Sequence, residues 1–146
     1  MRIGSVVLLI VLAGLTVLPV AHGQDPIATA RTQLMTALFD AADPTQPGAS
    51  LSATHLRLRR LINCLEGPGG KNFTVAAGNP CQGQGSGIFH DLRAAAGNAK
   101  AGTALRFAEA AHGFALQGIA STNVSVAQTY AWMVTFDLNN ALDALR

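Results

Sequence analysis

The chain has two cysteines, Cys64 at the end of a helical pattern and Cys81 deep in the glycine- and proline-rich stretch after it, and nothing else limits the fold as tightly. Residues 67–87 are dense in glycine and interrupted by Pro68 and Pro80, so no helix or strand persists there. A Cys64–Cys81 bond staples this loop to the last turn of the preceding helix. Metal or redox use would favour CxxC spacing, and haem attachment needs CxxCH; neither occurs. Closing a loop of about sixteen residues is worth about 3 kcal/mol in the chain-entropy account. The first reading of the loop is a structural staple, with Phe73 and Val75 tucked against the helices; the second is a binding loop.

A disulfide implies an oxidising compartment, and the N-terminus agrees. Arg2 precedes an apolar run over residues 6–18, Pro19 breaks it, and Ala21-His22-Gly23 carries small residues where a signal peptidase reads. Residues 1–23 are therefore read as a signal peptide and residues 24–146 as one exported domain, periplasmic or secreted, with no membrane span after cleavage. Removing Arg2 leaves nine basic residues against eight acidic ones, a balance that excludes a dedicated nucleic-acid binder.

Period-3.6 patterning runs through the rest. Asp25-Pro26 starts a helix whose apolar face carries Ile27, Leu34, Leu38 and Ala41, and Asp43-Pro44 ends it. Ser50 or Ser52 caps a second helix with Leu51, Leu58, Leu61, Ile62 and Leu65 inward and Arg57, Arg59 and Arg60 on its flanks and back. Ser86 is expected to cap the next segment, residues 87–120, which is one kinked helix or two helices breaking at Gly97-Asn98. Ser125 and Gln128 have capping-box spacing for a last helix ending near Leu145. The expected fold is all-α: an antiparallel four-helix bundle with the disulfide-pinned loop between helices 2 and 3. This layout resembles small exported four-helix bundles such as the cytochrome c-prime group. The resemblance is architectural, and without CxxCH it implies none of their residues or activity.

Candidate chemistry is sparse. His55 and His112 lie at the margins of apolar faces and are the residues a haem or transition metal would use. Asp137 sits at the core edge of the last helix, where His112 is its expected partner. Such a pair would be two-thirds of a hydrolase triad, but GxSxG is absent and the third member would have to be an unrecognised nucleophile such as Ser86. Arg57, Arg59 and Arg60 spread around their helix and read as a solvated face.

The last two helices point to another role. With Val134 at the centre of the core face, Trp132 and Phe136 project to the opposite side at about 100° per residue. Phe114 falls level with Trp132 and Phe107 level with Phe136, giving a band of four rings outside the seam of the two helices. Either another helix covers the band or it binds a protein partner or a second copy. The functional expectation is a non-enzymatic bundle that acts by binding or self-association, without a cofactor; the alternative is a haem- or metal-binding bundle using His55 or His112.

Overall fold

A computed structural model describes residues 25–42 and 49–146. The signal-peptide reading and the stop at Asp43-Pro44 lie outside the described residues. Those described are all-helical, with five α-helices instead of the four expected: α1 (Pro26–Ala42), α2 (Leu51–Glu66), α3 (Ile88–Ala94), α4 (Ala99–Ala120) and α5 (Val124–Ala144), plus a 3-10 turn at Val75–Ala77. Gly97-Asn98 is the reason for the fifth. The chain leaves α3 in turns at residues 95–97, and Asn98 restarts it by accepting the Lys100 amide at 2.8 Å.

Other boundaries also follow from short polar side chains. Asp25 Oδ1 accepts the Ile27 amide at 3.0 Å, and Ser50 Oγ accepts the Ala53 amide at 3.2 Å. Two expected caps are corrected. Gly87, not Ser86, precedes α3, and Ser86 instead gives its amide to Asp91 Oδ2. Asn123, not Ser125, caps α5, accepting from Val126 at 3.1 Å two residues earlier than the capping box implied. Asparagine serves as well as serine there, and it comes first in the chain.

α4 and α5 form a hairpin across residues 121–123. The two helices are in extensive contact, and their buried residues are mostly small: Ala101, Ala104, Ala108, Ala111 and Ala115 on α4, and Ala127, Ala131 and Ala141 with Val134 and Leu138 on α5. A methyl group built on Gly118 would lie 2.6 Å from Leu58 Cδ1 and 3.2 Å from Tyr130 Cβ, so glycine lets α4 approach α2 and α5 closely. α2 runs antiparallel to α4: His55 near its start meets Ser121, and Glu66 at its end meets His112. The bulk of the core comes from Leu34, Leu58, Leu61, Ile62, Leu65, Ile88 and Leu92 on α1, α2 and α3. The arginine row is not simply solvated. Arg57 and Arg60 converge on the buried Asp40 carboxylate of α1 at 2.6 and 3.4 Å, while Arg59 is exposed. An acid that deep needs such partners.

Candidate functional site

Two places carry chemistry beyond packing: the end of α2, where the loop folds back, and the outer face of the α4–α5 hairpin.

Cys64 and Cys81 form the expected disulfide, with Cα atoms 5.2 Å apart. Backbone approach closes the loop a second time. Gly67 and Gly87 have φ of 72° and 117°, and a Cβ on either would strike the other's backbone neighbourhood, so the loop ends meet where only glycine fits. Asn63, fully buried, spans the interior: its Nδ2 donates to the Thr74 and Gly78 carbonyls and its Oδ1 accepts the Thr74 amide, each at 2.8 Å. Phe73 is half-buried beside Ile62 and Ile119, but Val75 is 83% exposed, against expectation. The 3-10 turn that begins at Val75 faces its side chain outward.

Glu66 is the centre of this end. Its carboxylate accepts the backbone and side-chain amides of Asn72, both at 2.6 Å, and His112 Nε2 at 2.7 Å. Burial pushes the Glu66 pKa up, but the side-chain and backbone hydrogen bonds from Asn72, then the hydrogen bond and charge of His112, outweigh it and hold the pKa below the usual value. His112 therefore meets Glu66 and not Asp137, which corrects the expected pair. Phe89 packs edge-on against the His112 ring at 5.5 Å, and Arg93 lies over Phe89 at 5.3 Å while bonding Glu109 at 2.9 Å. An open cleft of about 700 Å3 runs beside them, lined by Glu66, Gly70, Lys71, Ser86, Phe89, His90 and Arg93. The sequence held one clue to Glu66. An acid in the last turn of a helix opposes the helix dipole, so it calls for donors from elsewhere.

His55 lies at the other end of α2, its Nε2 3.0 Å from the Ser121 carbonyl oxygen. Eleven residues of α2 separate it from the level of His112, about 16 Å at 1.5 Å per residue, so one ion cannot take both imidazoles. Among the described residues, no three histidine, cysteine or acidic side chains converge as a metal site would require.

On the hairpin's outer face, Trp132 and Phe136 are 61% and 56% exposed and stack on each other with centroids 6.1 Å apart. Phe107 and Phe114 are half-buried and pack against the core, and Phe114 stacks on Tyr130 at 6.3 Å. Phe114, Trp132, Met133, Phe136 and Asp137 together line a hollow of about 350 Å3. Phe107 stands apart from it. Asp137 is 8% exposed, and its Oδ2 is buried without a hydrogen-bond partner. Burial raises its pKa above the ordinary aspartate value.

No protein-family model, curated protein or solved structure matches this chain.

Proposed function

We propose that the protein is exported after loss of residues 1–23, folds as one helical-bundle domain and acts by binding, not by catalysis. Its working surface is the aromatic face of α4 and α5, and the occupant is a second copy of the chain. The observation that carries this reading is the exposed Trp132–Phe136 stack beside an apolar hollow. A projecting ring and a hollow on one patch are self-complementary, which is what a two-fold interface requires. Large exposed aromatics are also the side chains that dominate interface energy. The Cys64–Cys81 bond is compatible with export, and no helix among the described residues is long and apolar enough to cross a membrane.

Sedimentation velocity over a concentration series tests the reading. Wild type should show a concentration-dependent dimer, and Trp132→Ala should weaken it about tenfold or more. The variant's melting temperature should hardly change, because the ring is mostly outside the core. A wild type that stays monomeric at high concentration would overturn the proposal.

A further inference from the structure

The hollow on the hairpin face contains a chemical contradiction that self-association by apolar contact leaves unresolved. Four of its five lining side chains are apolar or aromatic: Phe114, Trp132, Met133 and Phe136. The fifth is an acid, Asp137, buried to 8% exposure with Oδ2 unpartnered. The other buried acids in the described chain have donors. Asp40 holds Arg57 and Arg60, and Asp91 receives the Gln33 side chain and the Ser86 amide. Only Asp137 has an oxygen left over, and it is the acid that borders a cavity lined by rings. A buried acceptor without a donor is costly. Oδ2 is closed to solvent, so an outside donor meets this carboxyl from the hollow at its other oxygen or after a rotation of the side chain.

We infer that this hollow is a binding site for a small organic ammonium ion, a primary amine carried on an apolar body. The ammonium donates to Asp137 in a charge-assisted bond, and Trp132, Phe136 and Phe114, which border the same hollow, are rings whose quadrupoles attract positive charge. The apolar body lies against Met133 and the rings. A volume of about 350 Å3 suits a ligand of small-molecule size. An anion is refused by the carboxylate, and a neutral alcohol gains neither the charge-assisted bond nor the cation–π attraction. The inference rests on reading this face as the protein's binding surface; the ammonium takes the hollow of the free protomer, in competition with a second copy.

Trp132 is the sole tryptophan, so its fluorescence reports on the hollow directly. Benzylammonium, benzyl alcohol and phenylacetate have similar size and differ in charge. Titrated into the purified protein at pH 7 and low salt, with calorimetry alongside, benzylammonium should bind at least about tenfold more tightly than either of the others. Asp137→Asn, nearly the same shape, should erase that preference. Equal binding of alcohol and ammonium, or an ammonium preference that survives in Asp137→Asn, would overturn the inference. The two proposals fail separately. A dimer with no ammonium preference sinks this one alone, whereas a monomer with the preference supports it and sinks self-association.

Discussion

Glu66 and Asp137 are both carboxylic acids sunk among helices, and their surroundings treat them in opposite ways. Glu66 accepts three hydrogen bonds and is held more acidic than usual; Asp137 has a buried oxygen with no partner and is held less acidic. The contrast extends to the regions around them. The end of α2 is a polar lattice closed by a disulfide, in which Asn63 and Glu66 each bind several groups of the loop. The buried residues of the α4–α5 hairpin are mostly alanines, joined by Val134 and Leu138, and such side chains supply no donors. A site whose polar capacity is used up by its own chain is structural. A site with capacity left over is where an outside molecule can gain most.

The largest test of this contrast is removal of the cross-link. Cys64→Ser with Cys81→Ser should lower stability by about 2–5 kcal/mol, read from urea unfolding. Hydrogen exchange should rise first in residues 67–87 and leave the hairpin amides protected. Loss of protection in the hairpin at the same rate would show that the two regions are one cooperative unit.

A smaller pair of changes probes the packing of α4. Gly118→Ala forces a methyl group against Leu58 and Tyr130 and should destabilise by about 1–3 kcal/mol. Gly113→Ala meets nothing within 4 Å and should stabilise by about 0.5–1 kcal/mol through helix propensity. The same substitution thus changes sign one and a half turns apart. Thermal melts of both variants check it.

The smallest effects are those of pH. A carboxyl whose folded pKa is lowered contributes stability above its unfolded pKa of about 4.3 and loses it as pH falls through the folded value. Wild type should therefore lose more melting temperature between pH 6 and pH 3 than Glu66→Gln does. For Asp137 the sign reverses. A raised folded pKa imposes a penalty that grows as pH rises past the unfolded value of about 3.9, so Asp137→Asn should raise the melting temperature at pH 7 and not at pH 3. Shifts of about a few degrees are expected for a chain of this size.

What was legible in the sequence was local or covalent. The disulfide, the starts at Asp25-Pro26 and Ser50, and the break at Gly97-Asn98 all depend on residues within a few positions of each other or on the only two cysteines. The cap at Asn123 in place of Ser125 shows that a motif's spacing does not say which of two competing polar side chains the backbone takes, whereas at Ser86 the chain turns one residue later, at Gly87, and no side chain caps α3. The pairs Glu66–His112 and Asp40–Arg57 were not legible at all. They join residues 46 and 17 positions apart, and only the packing of α2 against α4 and α1 brings them together. The exposed side of Trp132 and Phe136 was readable from helical period, while the unpartnered oxygen of Asp137 required knowing what surrounds it.

Asn63 stands next to Cys64 in the chain, and its hydrogen bonds to Thr74 and Gly78 hold the loop a few residues short of Cys81. Those bonds need no oxidant. In the reduced protein they would already gather the loop near α2, raising the local concentration of one thiol around the other. Thermodynamic linkage makes the effect mutual: whatever free energy the amide lattice lends to closure of the ring also resists reduction of the disulfide. For a two-electron couple, about 1.4 kcal/mol of such support moves the reduction potential by about 30 mV. By that linkage, weakening the Asn63 bonds would make the disulfide easier to reduce, although the side chain carries no redox chemistry of its own.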